Sequence, residues 1–295
     1  MLRRALIRKE LLQDEAAVSK LLVELDCLPL AITQAAAYTN CNMVSLRRYT
    51  ELLADTEQNM VHILSIAFRD KTRYRQAANA VATTWLLSFG QTMATDEDAA
   101  ELFRYMACLE WKAIPHSILP AMEPAARMDS AVGTLCSYSF VTRRDSGSVY
   151  DLHRLVHIAA RVWMREEGSL QRTQTKALQQ VMEIFPSDVY ENREVWRQYI
   201  PHAARVKLSD SGVNAELRGT LCLWVGRCLQ VDGRMRDAVQ WLEESRDWNE
   251  ALAEDHPSRL ASQHALAHAY LANGQVREAV ELLEYMVAVH KVALA

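Results

Sequence analysis

Glycine and proline are scarce in this chain: nine and seven among 295 residues. Ordinary usage of about 7% Gly and 5% Pro would give roughly 35 of the two together. So few breakers leave little room for hairpin turns or phosphate-cradling loops. That argues against an all-β sandwich or a Gly-rich nucleotide fold and for a mainly α fold class. Cysteine is sparse too. The six stand at 27, 41, 108, 136, 222 and 228, none in a C-x-x-C pair, and read as reduced thiols packed like small hydrophobes. No run reaches the ~18 apolar residues of a membrane span, and Arg8, Lys9 and Glu10 break any leader-like apolar start. Nor is there an excess of charge: 33 Lys+Arg stand against 37 Asp+Glu, a net charge of −4. This balance argues against a nucleic-acid or anionic-lipid partner. The expected compartment is the cytoplasm, with no membrane contact. Half of the residues are apolar, enough for a core divided between two or three modules.

Helical periodicity dominates what is present. Ala17, Leu21, Leu22 and Leu25 share a face over 14–25, and Pro29 suits the first turn of a following helix over 29–39. Ser45 is placed to cap a helix through Leu53. Segment 55–75 has weaker periodicity and ends in Arg69, Lys71, Arg73 and Arg75, which marks a module boundary. A helix over 77–89 then runs into Gly90, and Thr95 with Asp98 has the form of a capping box for a helix to Leu109. Ile114-Pro115-His116-Ser117 reads as the start of a short helix to Met122, and Asp129 as the cap of a helix to Ser137. The period then changes. Residues 140–142 and 148–150 flank the polar loop 143–147, the one strong hairpin signal in the chain, and an amphipathic helix follows from Leu155 to Trp163. Three helices, a hairpin and a helix describe a winged-helix module over 77–168. Two further helices over 169–208 are split near 186–192.

The last third repeats itself. A shift of 41 residues sets Val225-Gly226 on Leu266-Ala267, Leu229 on Tyr270 and Gly233 on Gly274. It also sets Arg236 on Arg277, Ala238-Val239 on Ala279-Val280 and Leu242 on Leu283. Each unit is an apolar helix, an Asp-Gly or Asn-Gly turn, and a second helix with Ala near its start. This is the tetratricopeptide pattern. Its long period and the inter-unit Glu254-Asp255-His256-Pro257 resemble the kinesin-light-chain subtype.

Together these features resemble the STAND signal-transduction ATPases with an NB-ARC core and a tetratricopeptide tail, of the fungal NLR-like type. Leu25-Asp26-Cys27-Leu28-Pro29-Leu30-Ala31-Ile32 is similar to that family's Gly-Leu-Pro-Leu motif. Residues 80–85 and Ile114-Pro115 are similar to the opening of its winged helix. Tyr150-Asp151-Leu152-His153-Arg154-Leu155-Val156-His157 is similar to its Met-His-Asp-type motif. The resemblance implies a partial NB-ARC helical subdomain over 1–60, a linker over 61–76, the winged helix over 77–168, a helical connector over 169–212 and two repeats of a truncated array over 213–295. It also implies that Pro29 and His153 are the nucleotide-contacting residues. Cys27 stands where the family has Gly, and Arg154 where its motif has Asp. A triphosphate site needs G-x-x-x-x-G-K-[ST]. No such run exists here, and the first glycine is Gly90. The chain is therefore not expected to be an enzyme. ADP or ATP is expected only if a nucleotide-binding subdomain is supplied, and no cofactor is expected for the chain alone.

Other chemistry is poorly marked. His153 and His157 lie four apart without the Glu of H-E-x-x-H, and His264 and His268 repeat the spacing on a repeat helix; no metal site is expected. There is no G-x-S-x-G element. The rival to a signalling role is a winged-helix DNA-binding regulator with a tetratricopeptide effector domain. Reading a groove needs Arg, Lys, Asn or Gln on the recognition helix, and 129–137 has no basic residue, leaving Arg127, Arg143 and Arg144 for phosphates. A protein or peptide is the expected ligand of the repeats' concave face. Arg227, Gln263, His264 and His268 are the candidate contacts there, and Leu229 and Tyr270 are core. Self-association is a further expected mode, within a two-state switch.

Overall fold

The computed structural model describes residues 1–25, 27–53, 75–144, 148–208 and 215–293. The expected boundary over 55–75 and the tip of the 143–147 loop fall outside them. The chain forms two compact units, Met1–Thr173 and Gln174–Ala295.

The first unit opens with the short helix α1 (Leu2–Ala5), α2 (Glu15–Glu24), α3 (Pro29–Cys41) and α4 (residues 46–53). Asp14 caps α2 by accepting from the Ala17 N–H, and Ser45 Oγ accepts from the Arg48 N–H at 3.2 Å to start α4. Pro29 occupies the first turn of α3, where its missing N–H is not needed. Between α2 and α3 the backbone turns at Cys27 with φ 54°, a left-handed conformation that suits glycine better than any side chain. The alanine-rich face of α3 buries Ala31, Ile32, Ala35, Ala36 and Tyr38.

Helix α5 (Arg75–Thr95) packs on α3, and its Thr84 hydroxyl lies 3.2 Å from Gln34 Oε1. It does not stop at Gly90. That residue faces solvent, where a helical glycine costs only about 1 kcal/mol and cannot end the run alone. The expected capping box is also displaced. Thr95 closes α5 by donating to the Gln91 carbonyl, and Asp96 caps α6 (Glu97–Met106) by accepting from the Ala99 N–H. Trp85, Phe89, Phe103 and Phe140 form the aromatic centre of this unit, with ring centroids 4.9–6.2 Å apart.

Ile114–Pro115 is not a helix start but the strand β1. A single 3-10 turn, His116–Ile118, follows it, and α7 (Ala125–Ser137) begins earlier than Asp129, directly after Pro124. Strands β2 (Val141–Arg143) and β3 (Val149–Leu152) form the expected antiparallel hairpin, and β1 adds to it in the order β1-β3-β2. The register pairs Ile114 with Tyr150 and Thr142 with Asp151. Proline is tolerated in β1 because that strand is an edge. The amphipathic α8 (Arg154–Glu166) closes the unit. Its His157 is buried, and Nε2 donates to the Leu109 carbonyl at 3.0 Å.

The boundary between the units falls in the first turn of α9 (Leu170–Ile184), and α10 (Arg193–Lys207) follows a 3-10 turn at Tyr190–Asn192. Two helical hairpins then stand in series: α11 (Ala215–Val231) with α12 (Met235–Asn249), and α13 (Pro257–Ala272) with α14 (Val276–Ala293). Both turns use glycine in the left-handed region, Gly233 at φ 75° and Gly274 at φ 83°. Pro257 opens α13 at its first turn, and the His256 imidazole accepts from the Ser258 N–H. Val239 and Leu242 of α12, Leu266, Ala269 and Tyr270 of α13 and Ala279 of α14 form one buried cluster, which joins the hairpins through α13.

Candidate functional site

The repeat unit carries an open groove of about 760 Å³. Helices α11 and α13, the first of each hairpin, supply most of its wall through Arg227, Gln230, Leu260, His264 and His268, while Asp188, Met235 and Met286 complete it. Helical spacing explains the wall. Residues 227, 230 and 231 on α11, and 260, 261, 264, 265 and 268 on α13, recur at i+3 and i+4 and so share a face.

Arg227 Nε donates to Asp188 Oδ2 at 2.8 Å, and its guanidinium lies 5.2 Å from the Trp224 ring centroid. The Gln230 amide donates to the Ala265 carbonyl at 3.2 Å and lies 3.5 Å from His268 Nδ1, which ties the two walls together. Behind the wall, burial pushes the Cys228 thiol up to about 12, with the Asp188 carboxylate acting in the same direction. Cys222 is raised similarly, to about 12, by burial. Neither thiol is a nucleophile at neutral pH. The Tyr270 hydroxyl donates to Glu243 Oε1 at 2.8 Å; burial first, then this bond, pushes its phenol up to about 12.

Of the residues expected from the sequence to meet a partner, Arg227, His264 and His268 come together on this wall, and all three are exposed. Gln263 does not join them. It is 4% exposed, turned about 100° around α13 from His264, with its Oε1 unpartnered inside the unit. Leu229 and Tyr270 are buried, as core positions should be. Eight described wall residues escaped the sequence reading, Gln230, Met286 and Asp188 among them. Gln230 and Met286 were open to detection, since one is three residues beyond Arg227 and the other faces inward from α14. Asp188 was not, because it lies in an irregular stretch 39 residues from Arg227.

Pro29 and His153 belong to the other unit, on separate elements. Pro29 is exposed at the start of α3, and His153 is exposed between β3 and α8. Desolvation by neighbouring atoms holds the His153 imidazole below its ordinary range, so it is neutral at pH 7. These two residues do not build a nucleotide site alone. Among the described residues Gly90 and Gly133 lie within helices, and no glycine turn stands beside Pro29 or His153 to present a row of N–H groups. Among the described residues there is likewise no group of three His, Cys, Asp or Glu that could hold a metal ion.

The arginines expected from the sequence to meet phosphates are engaged within the first unit. Arg127 is bidentate on Asp98 at 2.6 and 2.8 Å, and Arg144 is bidentate on Asp151 at 2.7 and 2.8 Å. Arg143 lies 5.8 Å from the Tyr150 ring centroid.

Comparison with known proteins agrees with the repeat geometry. Residues 219–285 match the tetratricopeptide repeat family. A nucleotide-binding leucine-rich repeat (NLR)-like protein of Hyaloscypha variabilis is 35% identical over 265 residues, covering 87% of this chain and 26% of that protein. The chain thus spans about a quarter of the length of the curated relative it matches. Among solved structures, kinesin-light-chain TPR-like repeats of Podosopora anserina are 21% identical over 80% of this chain and 97% of theirs, with a TM-score of 0.32. A single-substitution variant of the same repeats is 23% identical over 81% and 98%, with a TM-score of 0.29. The chain is a mainly helical protein carrying tetratricopeptide-type hairpins. No described helix is long and apolar enough to cross a membrane.

Proposed function

We propose that this chain is the non-catalytic, partner-sensing portion of an NLR-like STAND signalling NTPase, working in the cytoplasm. Residues 1–60 act as the NB-ARC-type helical subdomain, 77–168 as a winged helix that serves as the nucleotide-state lever, 169–212 as connector and 213–295 as the repeat sensor. The carrying observation is the groove of the repeat unit, with Arg227, His264 and His268 exposed on its wall beside the apolar side chains of Met235, Leu260 and Met286. Tetratricopeptide hairpins offer such a face to a peptide or protein, and the NLR-like relative supplies the signalling context. The order α5, α6, β1, α7, β2, β3, with the strands arranged β1-β3-β2, supports the winged-helix reading. Within the lever, Pro29 and His153 are the positions offered to an adenine nucleotide held by a separate nucleotide-binding subdomain.

A DNA-reading role has less support. Three basic side chains that would meet phosphates are engaged with Asp98, Asp151 and Tyr150, and Arg127 is the sole basic residue of α7.

Selection of a phage-displayed peptide library on the full chain tests the sensor. Enriched peptides are expected to lose binding when Leu260→Glu places a charge on the groove wall. Peptides that bind the Leu260→Glu chain equally well would remove the groove from the account. For the lever, ADP is expected to bind only after the nucleotide-binding portion of the Hyaloscypha variabilis relative is added, and His153→Ala is expected to weaken it. ADP affinity indifferent to His153→Ala overturns that assignment.

A further inference from the structure

A second groove lies on the first unit. The connection from β1 to α7 and the first turns of α7 enclose about 570 Å³, and every lining residue falls within 116–129. Leu119, Met122 and Met128 give it apolar sides, with Pro120 and Pro124 between them. At one end the His116 ring is held in place, its Nδ1 lying 2.9 Å from the hydroxyl of Tyr150, which is itself 1% exposed in β3.

Two carboxylates, Glu123 and Asp129, complete the lining, and no Lys or Arg belongs to it. Both are exposed, and neither has an ion-pair partner among the described residues. The arginines close by are engaged elsewhere. Arg127 donates to the Glu123 backbone carbonyl, but its charge is matched by the bidentate contact with Asp98, and Arg143 lies over the Tyr150 ring. The N-terminus of α7 has no side-chain cap and adds roughly half a positive charge, against two full negative ones. The lining is therefore negative on balance. In the repeat groove, by contrast, Arg227 and Asp188 satisfy each other.

This charge selects an occupant. Any ligand that fills the apolar part of the groove strips water from the two carboxylates. A neutral ligand would leave them desolvated and unpaired, and an acidic one, nucleic-acid phosphates included, would add repulsion. A Lys or Arg side chain offsets the loss, because it donates charge-assisted hydrogen bonds to both. We infer that this groove docks a basic segment of a partner protein, with a Lys or Arg between Glu123 and Asp129 and its apolar neighbours on Met122 and Met128. The inference stands on the first unit alone and is independent of the repeat groove.

Selection of a phage-displayed random dodecapeptide library on the full chain, in parallel with the Ala121→Arg chain, tests this. Ala121 is an exposed lining residue, so the new guanidinium occupies the groove without entering the core. Glu123→Lys, which reverses one charge at an exposed position, is a second blocking variant. Peptides lost on both variants are expected to carry Lys or Arg beside an apolar residue. One such peptide, labelled with fluorescein, is then titrated by anisotropy. Exchanging its basic residue for Gln should weaken binding roughly three- to tenfold, the range of one or two exposed ion pairs. Glu123→Gln and Asp129→Asn should each weaken it roughly two- to fivefold, and together they should erase the preference for the basic peptide over its Gln form. Leu260→Glu, in the other unit, should leave binding unchanged. A selection in which no peptide depends on the blocking variants would overturn the inference. Dependent peptides without basic residues, or a basic preference that survives the double substitution, would overturn the occupant. Loss on Leu260→Glu would assign the peptide to the repeat groove and overturn the inference equally. Unchanged helical circular dichroism verifies that each variant is folded.

Discussion

The two repeat hairpins share a spacing and a turn, yet they are packed differently. In the first, a Cβ added at Gly226 would come within 2.5 Å of Leu242 Cγ, and one at Gly219 within 2.5 Å of Asn249 Oδ1. Both glycines lie on the face of α11 that meets α12, and Ser245 Oγ reaches the Gly219 carbonyl at 2.7 Å. The equivalents in the second hairpin are Leu260, Ala267 and Met286, and two of these, Leu260 and Met286, line the groove. Burial follows the same division. Val239 and Leu242 are 6% and 0% exposed, while Val280 and Leu283 at the matching positions are 44% and 36% exposed. One sequence pattern thus gives a tight hairpin covered by α13 and a looser one with an open outer face. The difference lies in what stands next to each helix, and in glycine where close approach is required.

The largest expected effect separates the two faces. Leu242→Ala should destabilise the repeat unit by about 2–5 kcal/mol, because it leaves a cavity in the cluster shared by both hairpins. Leu283→Ala should cost about 1 kcal/mol or less, since much of its surface is already in water. Urea melts of the two variants read the difference, and equal losses would mean that the hairpins are packed alike.

Close approach gives the next contrast. Gly226→Ala should destabilise by about 1–3 kcal/mol despite the better helix propensity of alanine, because the added Cβ would fall 2.5 Å from Cγ of the fully buried Leu242. The reverse change at the matching site, Ala267→Gly, should cost only about 0.5–1 kcal/mol, the usual backbone penalty. Thermal melts that rank the two the other way would refute the tight-hairpin account.

Tyr270 takes the place of Leu229 in the second unit and adds a bond to Glu243. Tyr270→Phe should cost about 0.5–1.5 kcal/mol at neutral pH. Its phenol is pushed up to about 12 from 10.0, so the folded state favours the neutral form. The associated stability is complete below pH 10, where the unfolded phenol is also protonated. It falls as pH rises from 10 towards 12, because the unfolded chain then releases a proton that the folded chain keeps. Denaturation curves at pH 8 and pH 11 should show a smaller alkaline loss for Tyr270→Phe than for the unaltered chain.

Arg197→Ala should cost about 1–3 kcal/mol, and only in the first hairpin, because Asp232, 8% exposed, loses its guanidinium partner. The matching Asn273 bonds to Gln275 instead. The loss should shrink in 1 M salt; a loss that salt leaves unchanged would point to packing of the arginine stem.

Where structure depends on neighbours in sequence, the chain could be read directly. The turn at Gly233, the Ser45 cap and the placement of Pro29 each involve residues within a few positions of one another. The stretch from Gly90 to Asp129 could not be read in this way. Ile114-Pro115 has the local signature of a helix start and becomes a strand only because Tyr150 and Val149, distant in sequence, pair with it. Thr95 and Asp96 compete for one cap, and Asp96 wins by also accepting from Thr134 at 2.7 Å, a contact across the fold. The groove shows the same division. Arg227, His264 and His268 follow from helical period and repeat register, whereas the burial of Gln263 depends on the phase of α13 against its neighbours. Asp188 entered the groove through a connection with no period to read.

Gly233 and Gly274 hold nearly the same backbone conformation, one repeat length apart. A tandem copy of residues 234–274 would therefore begin and end on an identical joint, with no new junction for the chain to fold. The number of hairpins can then change by in-frame duplication of that segment, and the length of the recognition surface becomes a quantity that recombination adjusts in whole steps.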